Sequence, residues 1–344
     1  VATLALADPE SRGEGPRPAL PLLAAALYLF YGPPVFYAGF QLIATLATTL
    51  YLLIAWQAFQ ALAGSSARGW FTLGLLVGLA GLARGNVLLL LAALPLLLFG
   101  RRREDPRIRP WRWNAALVAG GCLMVAVPMV RNLVVADDFV LLTSNGGLNL
   151  LIGQRAVADG MFAPVMDEPQ AEFDPSMEET LERELGRDLK GSEVSRILSR
   201  QAVETFLENR GEMPRLYLWK IYRFWNGYEL PQVVSYDFWR PRFSSLQVLV
   251  VPFALLSALG LLGLFRLPRP GRAVLAILIL TYFLSLLPFF PTSRYRQPIA
   301  PLLAIAAASY LGAVLSRRRP LNAWRRTAWL VAGAGLLLLL LPRW

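Results

Sequence analysis

The chain has 344 residues, of which 56% are hydrophobic and 17% charged, and its mean hydropathy is +0.46. Soluble domains lie nearer half apolar and a quarter charged, so this balance excludes an ordinary soluble globule and points to a polytopic membrane protein. The net charge is +11, with no histidine and one cysteine, Cys122, which excludes an intrachain disulfide framework, histidine-based zinc sites, Ser-His-Asp triads and Cys-His dyads.

The first residues, Val1–Ala7, read as the tail of an apolar segment, and the chain is expected to be an N-terminally truncated piece. Nine apolar runs follow, at about 18–31, 40–63, 70–83, 86–100, 114–135, 246–265, 273–290, 298–315 and 327–341. Several are shorter than the roughly 20 residues that cross a hydrocarbon core. Arg84-Gly85-Asn86 breaks the third run from the fourth, as a hairpin near the membrane face or a bend in one helix.

Lys and Arg in short loops set orientation. Arg101, Arg102, Arg103, Arg107, Arg109 and Arg112 precede the fifth run. Arg266, Arg269 and Arg272 separate two later runs, and Arg317, Arg318, Arg319, Arg325 and Arg326 precede the last. All three clusters fall on one side if each run crosses once, and they are placed in the cytoplasm. Residues 136–245 and the Pro291–Pro298 loop then face outward. The 136–245 segment holds 12 basic and 18 acidic residues, so the positive surplus lies elsewhere, in clusters between apolar runs. That is a topology signal, not a nucleic-acid stripe, and no nucleic-acid partner is expected.

The 136–245 segment opens on a polar, Gly-rich stretch, 143–153. Asp174-Pro175 starts one helix, with Met177, Leu181 and Leu185 at every fourth position. A second follows Ser192, with Val194, Ile197, Leu198, Ala202 and Phe206 on one face. A third, Arg215–Trp225, mixes Leu, Tyr, Trp, Lys and Arg as interfacial helices do. The expected organisation is all-α: membrane helices over 1–135, a partly helical extracytoplasmic loop domain over 136–245, and membrane helices over 246–344.

Charges at the membrane are costly and are functional candidates by default. Arg84, Arg131, Arg294 and Arg296 lie at outer ends of apolar runs. Guanidinium forks hold phosphate bidentately, so these residues suit an anionic lipid head group, with Tyr295 adding a hydroxyl. Asn145 and Asn149, in Ser144-Asn145-Gly146-Gly147-Leu148-Asn149, can bond a sugar hydroxyl or phosphate oxygen. No Gly-Lys-Ser/Thr follows, so this is not a P-loop. Asp137-Asp138 and Asp159-Gly160 read as solvated loop residues.

Several patterns coincide in order and placement. They are Gly78-Leu79-Ala80-Gly81-Leu82-Ala83-Arg84, Val127-Pro128-Met129-Val130-Arg131-Asn132, and the stretch from Ser144 to Gly153. Lys220 with Phe224-Trp225, and Arg294-Tyr295-Arg296-Gln297-Pro298-Ile299-Ala300-Pro301, complete the set. In these, the chain resembles the bacterial dolichyl-phosphate-mannose–protein mannosyltransferase-like proteins, glycosyltransferase family 39, which include aminoarabinose transferases. The resemblance implies a GT-C-like fold in the inner (plasma) membrane. It also implies transfer of a sugar, with inversion, from a polyprenyl-phosphate-linked donor to a lipid, glycan or protein acceptor on the outer face.

The family's catalytic carboxylate sits in a first outer loop that is expected upstream of Val1, so no catalytic residue is assigned in this chain. Where relatives often carry an acid early in the second run, this chain reads Gln41-Leu42-Ile43-Ala44-Thr45. No metal site is expected within the chain, and no cofactor is certain. A divalent cation is open only through residues outside it. The alternatives are an O-antigen ligase or polymerase, and a transporter or flippase. Transporters usually show inverted repeats and mid-membrane charges, and this sequence shows no repeat and few such charges.

Overall fold

The computed structural model describes residues 1–6, 19–40, 42–64, 66–98, 110–155, 176–315 and 323–340. The arginines at 101–109 and 317–319, Asp159-Gly160, Asp174-Pro175 and Gln41 lie outside the described residues. Among the described residues every extended element is helical.

In chain order the helices are α1 (Ala2–Leu6), α2 (Ala19–Leu29), α3 (Gly32–Ala38), α4 (Ala44–Gly64), α5 (Ala67–Ala83) and α6 (Leu90–Ala93), with a 3-10 turn, Gly85–Leu89, before the last. Then come α7 (Pro110–Ala136), α8 (Gly146–Gln154), α9 (Ser176–Leu185), α10 (Gly191–Glu208), α11 (Met213–Trp225), α12 (Tyr236–Trp239) and α13 (Ser244–Gln247). The last are α14 (Phe253–Leu264), α15 (Arg269–Leu286), α16 (Ser293–Arg296), α17 (Ala300–Leu315) and α18 (Ala323–Leu340).

Among the described residues, three helices are long and apolar enough to cross a membrane: α4, α7 and α15, of 21, 27 and 18 residues. At about 1.5 Å per residue they span roughly 27–40 Å, against about 30 Å of hydrocarbon. The apolar helices α2, α5, α14 and α17 are shorter, at 10–17 residues.

Small residues set how closely these helices pack. A Cβ on Gly74 of α5 would lie 2.0 Å from the Leu117 carbonyl oxygen of α7, and one on Gly120 of α7 would lie 2.3 Å from the Phe71 carbonyl oxygen. The two backbones therefore touch, as small-residue spacings allow between membrane helices. Gly263 plays the same part between α14 and α17, where a Cβ would meet the Ala306 carbonyl oxygen at 1.9 Å.

The break at Arg84 is a reversal of the chain. Helix α5 stops at Ala83, Arg84 is extended (φ −148, ψ 107), and the Leu88 side chain packs back on Gly81. The run expected over 86–100 is not one continuous helix. It begins as the 3-10 turn, and the short α6 ends before a turn at Leu94-Pro95, because Pro has no N–H for the helix ladder.

Helices α8, α9 and α10 share their own small core of Leu151, Leu181, Leu189, Leu198 and Ala202. Gly147 allows the close contact there: a Cβ would fall 2.1 Å from the Ser195 carbonyl oxygen, and its N–H donates to Ser195 Oγ at 3.1 Å. Leu185 and Phe206, expected on buried faces, are exposed. Asp137 is exposed, as expected of a loop residue, but Asp138 is not. Asp138 is buried and accepts the Ser192 N–H at 2.9 Å, while Asp137 pairs with Lys190 at 2.8 Å. Together they hold the start of α10. The Ser192 hydrogen bonds also keep the Asp138 carboxyl below the usual aspartate range.

Candidate functional site

The loop between α15 and α17 carries Pro288, Pro291 and Pro298, which keep it from continuing either helix. Its backbone is held from the cap side by groups far away in sequence. Lys220 Nζ donates to the Leu287 carbonyl at 3.0 Å, and Gln154 Nε2 to the Pro288 carbonyl at 2.7 Å. The Ser293 N–H donates to the Leu230 carbonyl at 2.9 Å. A loop held this way presents α16 in one geometry.

Arg84 meets that loop. Its Nη2 donates to the Arg294 carbonyl at 3.4 Å, and its Cζ lies 4.4 Å from the centre of the Tyr295 ring. The Arg294 guanidinium flanks the same ring at 5.2 Å and donates to the Tyr295 hydroxyl at 3.4 Å. Two cations thus sit against one phenol, where the ring's negative face offsets part of their charge. Arg84 Nε is buried and has no hydrogen-bond partner.

Arg84 and Tyr295 border a cavity of about 510 Å³. Its polar lining is Arg84, Asn86, Thr143, Asn149, Ser285 and Tyr295, and its apolar lining includes Leu88, Leu141, Leu142, Leu286, Phe289 and Phe290. Among the described residues that line it, none is acidic. Asn86 Nδ2 donates to Ser285 Oγ at 2.7 Å, which leaves its carbonyl oxygen available. The cavity therefore offers a cation, amide and hydroxyl groups together with hydrocarbon side chains. That is the chemistry of an amphiphilic anion.

The seven sequence candidates separate. Arg84, Asn149 and Tyr295 line the cavity, and Arg294 adjoins it through the Tyr295 ring. Arg131 is exposed on α7, bonded to Asn132 Oδ1 at 3.2 Å, and does not line it. Asn145 is exposed at the start of α8, where its carbonyl accepts the Asn149 N–H at 3.1 Å.

Arg296, expected to join Arg294 on one phosphate, is not at the cavity. It is 0% exposed, and its guanidinium donates to the carbonyls of Asn226 and Arg223. It lies 3.9 Å from Glu229 Oε2 and over the Phe253 ring at 4.7 Å. Glu229, itself buried, accepts from Tyr31 at 3.1 Å and from Ser293. Burial pushes the Glu229 carboxyl up, and Arg296, Ser293 and Tyr31 oppose that shift.

Asn86 and Ser285 were missed by the sequence reading, although Asn86 adjoins the Arg84 break. Glu229 carried no local signal. Among the described residues no group of three His, Cys, Asp or Glu is arranged to hold a metal ion.

Lys220 is 1% exposed, and burial pushes its ammonium down to about 7. The unfolded lysine keeps its proton up to the ordinary 10.5, so between these values the unfolded chain binds more protons than the folded one. Stability should therefore rise with pH from about 7 upward, as the cost of burying the charge is relieved. Thermal unfolding in detergent at pH 7 to 9.5 should show this rise in the wild type, and Lys220→Met should flatten it. Equal slopes for the two proteins would contradict the assignment.

No family model, no curated protein and no solved structure matches this chain.

Proposed function

We propose that this chain is a multi-pass membrane glycosyltransferase with a GT-C-like helical bundle. It takes a sugar from a polyprenyl-phosphate-linked donor to a lipid, glycan or protein acceptor at the outer face of the plasma membrane. The observation that carries the reading is the cavity that Arg84 lines together with leucine and phenylalanine side chains, with no acid among its described lining residues. A polyprenyl phosphate needs both a cation and hydrocarbon, since its head is an anion and its tail is hydrocarbon. The outward apolar face of α7, with Leu123, Val127, Val130 and Val134 exposed, supports a lipid surround. The resemblance to glycosyltransferase family 39 adds the reaction class.

In this reading the acceptor oxygen bonds to the anomeric carbon as the bond from that carbon to the phosphate oxygen breaks. The phosphate leaves with the bonding pair, and its growing negative charge is what Arg84 stabilises. Asn86, Asn149 and the Tyr295 hydroxyl are placed to bond the phosphate or the sugar. Among the described lining residues none is a carboxylate, and no residue is assigned as the base that takes the acceptor's proton.

The test is ligand binding. The chain in nanodiscs should retain a polyprenyl phosphate through native mass spectrometry, and should prefer it to the matching polyprenyl alcohol by at least about tenfold. That corresponds to one charge-assisted interaction of about 1.4 kcal/mol. Equal retention of phosphate and alcohol would sink the reading.

A further inference from the structure

The segment that places Tyr295 in the first cavity also reaches a second one, through Gln297. This hollow, of about 160 Å³, has Tyr28, Tyr37, Thr45, Thr48, Thr49 and Gln297 as its polar lining and no charged residue. At about 30 Å³ of liquid volume per water, it has room for a group several atoms across.

Tyr28, Tyr37 and Thr45 bring hydroxyls that can donate or accept, while three other lining groups have their donors committed. Thr48 Oγ1 donates to the Ala44 carbonyl at 2.8 Å, and Thr49 Oγ1 to the Thr45 carbonyl at 3.0 Å. Both hydroxyl protons are thus committed to α4 itself, and only oxygen lone pairs remain. Gln297 is 1% exposed, and its Nε2 donates to the Ser293 carbonyl at 3.4 Å. Only the NH2 end can meet a carbonyl, so the amide orientation is set. Its Oε1 is left buried without a partner. A buried, unpaired acceptor is costly and calls for a donor. No opposite charge is present to favour an ion, so an uncharged donor fits best.

We infer that this second cavity binds an uncharged, hydroxyl-rich group, the chemistry of a sugar ring, whose hydroxyls donate to Gln297 Oε1 and to the Thr48 and Thr49 oxygens. The site stands on its own lining and does not depend on the phosphate cavity.

The probe is methyl α-D-glucopyranoside, and its control is the fully O-methylated glucoside, which keeps the ring and loses every donor. The full chain is placed in lipid nanodiscs prepared without sugar detergents, and saturation transfer to each compound is read by NMR. Transfer is expected to methyl glucoside and not to the methylated form. It should fall at least about threefold in both Gln297→Leu and Thr48→Val, as for loss of one hydrogen bond. Thr48→Val is isosteric and lies on a different helix, so it guards against a misplaced loop in Gln297→Leu. Arg200→Ala, on the exposed surface of α10, should leave the signal intact, and retention of polyprenyl phosphate by the Gln297 and Thr48 variants separates failure here from failure of the phosphate site.

Absence of transfer, equal transfer to the methylated control, or an unchanged signal in either variant would overturn the proposal. Loss of the signal in Arg200→Ala would do the same by showing that it does not come from this cavity.

Discussion

Arg84→Ala should lower donor affinity or turnover by roughly 10- to 100-fold, the range for losing a charge-assisted hydrogen bond to phosphate. Arg84 is the cavity's own cation, its Nε has no hydrogen-bond partner, and none of the described lining residues is an acid to neutralise it. Its removal also takes away the contact with the Tyr295 ring and the bond to the Arg294 carbonyl. Arg84→Lys should recover only part of the loss, because it keeps the charge but not the planar fork. Arg200→Ala, on the exposed surface of α10, should change neither quantity. Transfer from a polyprenyl-phosphate sugar measures turnover, and lipid retention measures affinity. Near-normal values for Arg84→Ala on both would remove the phosphate site.

Arg296→Met should act on folding instead. It strands the buried Glu229 carboxylate, and breaking a buried pair from one side costs about 3–5 kcal/mol. Adding Glu229→Gln should return much of that loss, since the amide still accepts from Tyr31 and no longer needs a cation. The pH dependence gives a second check. Burial raises the Glu229 carboxyl in the folded chain and Arg296 pulls it down, so loss of Arg296 leaves it higher still. A group raised in the folded state stabilises most below its unfolded value, and that contribution fades as pH rises through the folded one. The Arg296→Met deficit should therefore be largest near neutral pH and shrink as pH falls towards the ordinary glutamate value of 4.5. Chemical unfolding of the two variants across that range reads both effects. A pH-independent loss, or no gain from Glu229→Gln, would show that the pair is not what holds the loop.

This division of labour on α16 follows from its helical geometry. Arg294 and Arg296 are two residues apart on one helical turn, and residues so spaced do not share a face. One meets the Tyr295 ring beside the cavity, and the other enters the junction between α11 and α14, where carbonyls at 223 and 226 await it.

Much of the organisation is local information and was legible from residue types in order. Apolar runs, small-residue spacings and Pro or Gly breaks dictate helices and their ends, because each depends on neighbours within a turn or two. Arg84 stood out for the same reason, as a charge at the end of an apolar run followed by Gly85-Asn86. The absence of histidine narrowed the chemistry without any coordinates. Which arginine is free to act was a different kind of question. Arg84 meets the Arg294 carbonyl across 210 positions, and Glu229 meets Tyr31 across 198. No periodicity encodes such partners. Burial and charge compensation are set by whatever the packed helices bring within about 4 Å, so only the tertiary structure could place Arg294 beside the cavity, close Arg296 into the core, and leave Gln297 Oε1 without a donor.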